Sequence, residues 1–142
     1  MKLLALVMGF IESIKICFGK YTKFDGRASK SEFWYFFLFC CIFMFVGGFL
    51  VGLSGASQAG MDGAILFLLL PIFIPSIAVA ARRLHDINQS GWMQCIFIPG
   101  FFADMLMGTG YVIYIMTLAL YAFWFSQAGK KGKNKFGAQP KK

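Results

Sequence analysis

The residues that could do chemistry in this chain are few: Arg82, Arg83, His85 and Asp86 stand almost together, with Arg27 and Glu32 upstream. His85 is the single histidine. A histidine beside an aspartate suggests an acid and a base. Immediate neighbours on a helix do not face one another, however, because surface partners lie three or four residues apart. One imidazole and one carboxylate are also too few for a closed zinc site. No CxxC pair and no glycine-rich phosphate loop accompany them. The sequence therefore identifies no catalytic residue, no metal ligand and no cofactor. The cluster Arg27, Glu32, Arg82, Arg83, His85 and Asp86 keeps two other uses. Guanidinium forks suit a phosphate or an anionic lipid headgroup. Alternatively, Glu32 and Asp86 pair with the arginines in a structural network, since charge near a bilayer must be paired or hydrated.

The elements that must position this cluster follow from the distribution of the 14 Lys and Arg residues. With Lys2 aside they fall in three groups, and positions 31–81 and 84–129 contain none. Bilayer insertion produces such a pattern, because cationic loops stay on the cytoplasmic face while the runs between them cross. The net charge of +8 then reflects insertion and implies no nucleic-acid partner. Composition agrees: 58% of residues are hydrophobic and 14% charged, against about 25% charged in soluble domains. At about 20 residues per crossing, three or four spans exhaust the chain and leave no room for a soluble catalytic domain.

The expected fold is all-α: an integral membrane helical bundle of about four transmembrane helices preceded by an amino-terminal amphipathic helix. In residues 1–18, Leu3, Leu6, Val7, Phe10, Ile14 and Cys17 recur at helical spacing. That helix lies on the membrane surface or packs on its own bundle. Its start imitates a signal peptide, but Glu12 and Lys15 interrupt the apolar run and no small-residue cleavage site follows.

Residues 19–128 form the membrane domain, with spans at about 33–53, 64–81, 93–107 and 111–127. Ser29 and Glu32 make a capping box for the first span. Trp34 is its interfacial anchor, and Trp92 anchors the third. Gly48, Gly52 and Ala56 place small residues on one helix face, for packing within the monomer or for a dimer seam. The stretch from Ser54 to Gly63 reads as an external loop around Asp62. Pro71 and Pro75 should kink or break the second span. The third segment, with Pro99, Gly100 and Asp104, is a short tilted span or a re-entrant hairpin. Residues 129–142 are a basic tail. With four spans, every cationic group falls on one side and both termini are cytoplasmic.

The four cysteines add little. Cys40 and Cys41 lie within the first span, and Cys95 begins the third segment. Cys17 is expected to be exposed to a reducing compartment. Asn88-Gln89-Ser90 matches a glycosylation acceptor but falls on the cytoplasmic side, and reads as chance.

Two motifs exceed what periodicity predicts: Gly26-Arg27-Ala28-Ser29-Lys30-Ser31-Glu32-Phe33-Trp34, and Arg82-Arg83-Leu84-His85-Asp86 followed by Ser90-Gly91-Trp92. With Asn134-Lys135-Phe136-Gly137 and Pro140, they resemble a bacterial inner-membrane family known as domain of unknown function 805, from about Tyr21 to Pro140. Lys30 stands where that family usually shows Arg, and Met93 where a second Trp is common. The resemblance implies a small multi-pass protein of the cytoplasmic membrane and no particular activity. The function expected is that of a non-enzymatic structural or regulatory membrane protein. Its expected partners are membrane lipids with anionic headgroups, a membrane-protein partner or a second copy of itself. A small oligomeric transporter or channel is the alternative, and an intramembrane enzyme comes third.

Overall fold

A computed structural model describes residues 2–97 and 111–140. Its helices are α1 (Lys2–Gly19), α2 (Lys30–Leu53), α3 (Gln58–Asp86) and α4 (Tyr111–Ser126), with a 3-10 turn at Gly91–Phe97 between α3 and α4. Among the described residues there is no named strand. The protein is an all-α membrane protein, and it divides into two units: residues 1–23 with 31–79, and residues 24–30 with 80–142.

In the first unit α1 rests on α2. The Phe10 ring meets Tyr35 edge-on at 6.2 Å, and Phe18 meets Phe36 and Phe39 at 5.6 and 5.8 Å. Ser13 and Cys17 are buried on the same helix, while Leu4, Val7, Met8 and Ile11 remain exposed. One edge of the apolar arc of α1 is thus packed on α2, as the bundle-packing alternative expects, and the other edge is exposed. Cys17 corrects an expectation: it is 0% exposed. Its position on the face of α1 turned to α2 decides its burial.

Helix α2 starts at Lys30, which leaves Ser29 at the N-cap position and Glu32 in the first turn. Both α2 and α3 are long and apolar enough to cross a membrane. Their flanks are open, with Phe45 at 75% and Phe67 at 74% exposure. In water such a surface would be an association hazard; in hydrocarbon it is the solvated state.

Close approach of α2 and α3 is set by Gly47, where a β-carbon would come within 2.6 Å of Leu68 Cδ1. The glycines singled out by spacing, Gly48 and Gly52, have no such neighbour within 4 Å among the described residues. The connection to α3 is shorter than expected, because helix resumes at Gln58 and takes in most of the Ser54–Gly63 stretch. Ser57 explains this. Its hydroxyl accepts from the Gly60 amide at 3.4 Å and its carbonyl from the Met61 amide at 2.9 Å, the bonds of an N-cap. Gln58 then donates to Asp62 one turn on, at 3.1 Å.

Pro71 and Pro75 both lie inside α3, which is one helix from Gln58 to Asp86. No break occurs there. Membrane helices tolerate proline where side chains and neighbouring groups re-satisfy the backbone. The carbonyls deprived of an amide partner are those of Phe67 and Pro71; separately, Ser76 donates to the Ile72 carbonyl at 2.6 Å, and its oxygen is 3.6 Å from Cys40 Sγ on α2.

The second unit begins where α3 becomes polar. The helix ends in a Schellman motif: the Gln89 amide bonds the Leu84 carbonyl at 2.9 Å and the Asn88 amide bonds the His85 carbonyl at 3.0 Å. Asn88 takes the left-handed conformation the motif needs, at φ 66°. The third apolar segment opens as the 3-10 turn Gly91–Phe97; its remainder, with Pro99, Gly100 and Asp104, lies outside the described residues. Helix α4 begins where the fourth span was expected and ends at Ser126.

Candidate functional site

The last turn of α3, the segment before α2 and the chain after α4 converge on Asp86. The Arg27 guanidinium meets Asp86 Oδ1 through Nε at 2.9 Å and Nη2 at 2.8 Å. The Arg83 Nη1 donates to Asp86 Oδ2 at 2.5 Å. One carboxylate therefore serves two guanidiniums, both of whose side chains are 1% exposed. An acidic residue in the last turn of a helix is disfavoured by the macrodipole; here the two cations reverse the local sign.

The remaining arginine donors go to backbone. Arg27 Nη1 donates to the Gly132 carbonyl at 2.6 Å and, longer, to that of Gly137 at 3.4 Å. Its Nη2 donates to the Lys130 carbonyl. Arg83 donates through Nε to the Phe125 carbonyl at 3.1 Å and through Nη2 to that of Gln127. The Lys130 amide returns a bond to the Asp86 carbonyl at 2.9 Å, and the Ala28 amide one to the Arg82 carbonyl at 3.0 Å. Each guanidinium nitrogen of Arg27 and Arg83 thus has an acceptor. The buried charge is hydrogen-bonded on all its faces, which is the condition for tolerating it away from water. Burial lowers the Arg83 pKa and Asp86 opposes that shift.

Glycine makes the approach possible. A β-carbon on Gly129 would lie 2.0 Å from Asp86 Oδ2, and one on Gly91 would lie 2.9 Å from the Ala81 β-carbon.

His85 points elsewhere. Its ring stacks on Phe136 at 3.8 Å and 8°, and Nδ1 is 3.0 Å from the Gly26 carbonyl. Asn134 donates to the His85 carbonyl at 2.8 Å and accepts from the Phe136 amide at 2.9 Å. Burial pushes the His85 pKa below its usual 6.5, against the raising effects of the Gly26 bond and Asp25, while Lys135 lowers it further. The imidazole and the Asp86 carboxylate engage different partners. Among the described residues no group of three His, Cys, Asp or Glu could hold a metal ion.

Of the residues singled out by sequence, Arg27, Arg83, His85 and Asp86 come together in the second unit. Arg82 is buried beside them on α3. Glu32 belongs to the first unit, buried with an oxygen 4.0 Å from Cys17 Sγ. Trp34 also lies there, packed edge-on against Phe33 and Phe37 at 5.4 and 5.6 Å. Trp92 is 83% exposed. Sequence reasoning missed Gly129 and the carbonyls of Phe125, Gln127, Lys130 and Gly132, which carry no side-chain signal. It had Asn134, Phe136 and Gly137 only through the family motif.

Residues 21–138 match the family described as "Protein of unknown function (DUF805)". The chain belongs to this family. It is 36% identical over 122 residues to inner membrane protein YhaH of Escherichia coli K12, a match covering 85% of this chain and 89% of that protein. It is 32% identical over 122 residues to inner membrane protein YhaI of the same strain, covering 85% and 88% respectively. No solved structure matches. The protein is accordingly a bacterial inner-membrane protein. The family match spans the whole Asp86 network and leaves α1 outside it.

Proposed function

We propose that the protein is a non-enzymatic structural or regulatory membrane element whose cytoplasmic tail is clamped to the end of α3, forming a folded surface for an anionic lipid or a protein partner. The observation that carries this reading is the saturation of Arg27 and Arg83 by Asp86, by the Phe125 carbonyl in the last turn of α4 and by four backbone carbonyls of the chain after it. Arginines so occupied favour the network use of the cluster over direct contact with a headgroup. The positive-inside pattern supports a cytoplasmic place for this end and for both termini.

Trypsin added to membrane vesicles tests both parts. Inside-out vesicles should release tail fragments cut at Lys130–Lys135, and right-side-out vesicles should not. Asp86→Asn leaves two buried guanidiniums without their carboxylate, a loss of about 3–5 kcal/mol, and should speed cleavage at least tenfold. Cleavage from the periplasmic side would overturn the orientation. Equal rates for wild type and variant would overturn the clamp.

A further inference from the structure

The clamped chain carries charge that the clamp does not use. Lysines stand at 130, 131, 133, 135, 141 and 142, and no Asp or Glu occurs between Ser126 and Lys142. The side chains of Lys130, Lys131, Lys133 and Lys135 are exposed, while the backbone beneath them is fixed at several points. Lys130 bonds Asp86 through its amide and Arg27 through its carbonyl. Gly132 bonds Arg27 through its carbonyl and Gln139 through its amide, at 3.1 Å. Asn134 and Gly137 close the loop with paired bonds of 3.0 and 3.1 Å. The Lys135 ammonium sits 4.9 Å over the Phe136 ring, which itself stacks on His85.

The level of this loop relative to the bilayer follows from α3. Its uncharged stretch ends at Ala81, and Asp86 is five residues further, about 7.5 Å at the rise of an α-helix. That is within the screening length of about 8 Å at physiological salt. Trp92 marks the same level. It follows Gly91, which lies against Ala81 and His85, and an exposed tryptophan belongs at the headgroup layer.

From this the geometry points to a binding site for the anionic cytoplasmic leaflet, formed by the Lys130, Lys131, Lys133 and Lys135 side chains on a loop that Arg27, Arg83 and Asp86 hold in shape. The arginines are positioning residues here and the lysines make the contact. The site rests on the clamp proposed above and assigns its partner: phosphate groups of acidic lipids, bound by point charges and hence sensitive to salt. A preformed loop avoids the ordering cost that a flexible basic tail incurs on binding.

The test uses the full chain purified in detergent and titrated with phosphatidylglycerol or phosphatidylcholine, with bound lipid counted by native mass spectrometry. Wild type should retain phosphatidylglycerol in preference, and lose it as salt rises. Replacing all four lysines (Lys130→Gln, Lys131→Gln, Lys133→Gln, Lys135→Gln) should lower that retention at least tenfold, each lysine near an anionic surface being worth about fivefold. The melting temperature should fall only slightly, by the loss of the exposed Lys135–Phe136 contact, since no lysine side chain bonds Arg27, Arg83 or Asp86. Equal retention of the two lipids, or unchanged retention in the variant, would overturn the site. Displacement of the lipid by millimolar inorganic phosphate would overturn the commitment to a bilayer surface. Failure of the clamp is read separately, from the Asp86→Asn proteolysis, and leaves these lipid counts interpretable.

Discussion

In the first unit the side chains of α2 and α3 stand open along much of their length, with Phe45, Phe67 and Leu53 exposed and Gly47 against Leu68 as the one tight glycine contact among its described residues. In the second, Arg27, Arg83 and Asp86 are almost fully enclosed and joined to the backbone of a distant segment. The first arrangement suits a hydrocarbon solvent that asks only for satisfied backbone groups and apolar flanks. The second suits the boundary with water, where charge is retained but must be matched group by group. Errors in packing should therefore be forgiven along the spans and punished at the clamp.

The largest contrast is expected from glycine substitutions at the clamp. A β-carbon at Gly129 would overlap Asp86 Oδ2, and the carboxylate cannot retreat without releasing Arg27 or Arg83. Gly129→Ala should cost about 1–3 kcal/mol, the usual penalty for overpacking, or more if the carboxylate is displaced. Loss of melting temperature together with faster trypsin cleavage after α4 would bear this out. A variant as stable as wild type would show that the loop has more room than its geometry indicates.

A smaller effect belongs to the spans. Gly47→Ala presses on Leu68 Cδ1, the far end of a flexible side chain, so a loss of about 1 kcal/mol is expected, the low end for overpacking. Gly48→Ala meets nothing and should be neutral or slightly stabilising through helix propensity. Melting temperatures in one detergent decide the matter. The reverse order would revive the small-residue face at Gly48 and Gly52 as the true packing seam.

The same contrast explains what the sequence could and could not disclose. Helices α2, α3 and α4 were legible because insertion acts on composition, and composition is local. The end of α3 agrees with residue type, because Asn88 is a residue that tolerates the left-handed helix cap. The start of α3 was not legible, since Gly60 and Gly63 resemble loop residues and hide the cap at Ser57. Burial of Cys17 depends on which face of α1 turns toward α2, a tertiary choice. The clamp was half visible. Side-chain types offered pairing of Asp86 with the arginines as one of two uses of the cluster, beside an anionic headgroup site. Nothing in residue type announced that their other acceptors would be carbonyls more than 100 positions from Arg27, because a carbonyl is common to every residue.

The smallest expected effect comes from pH and again separates the two units. Burial holds the His85 pKa below 6.5, whereas the unfolded chain has the ordinary value of about 6.5. Above that pH the imidazole is neutral in both states and its contribution to stability is complete. As the pH falls through 6.5 the unfolded chain takes up the proton first, so the folded state loses ground until its own lower pKa is passed. The negative charge of Asp25 softens the loss, while the positive charge of Lys135 sharpens it. A modest decline in melting temperature is therefore expected between pH 7.5 and 5, a range above the titration of ordinary carboxylates. His85→Gln should flatten the decline even though it forfeits the stacking on Phe136. Comparing slopes, and not absolute stabilities, keeps the two effects apart: a wild-type curve already flat would mean that the ring is better hydrated than its packing indicates. The paired Gly47 and Gly48 variants should share the wild-type slope, because no titrating histidine lies in the unit they perturb.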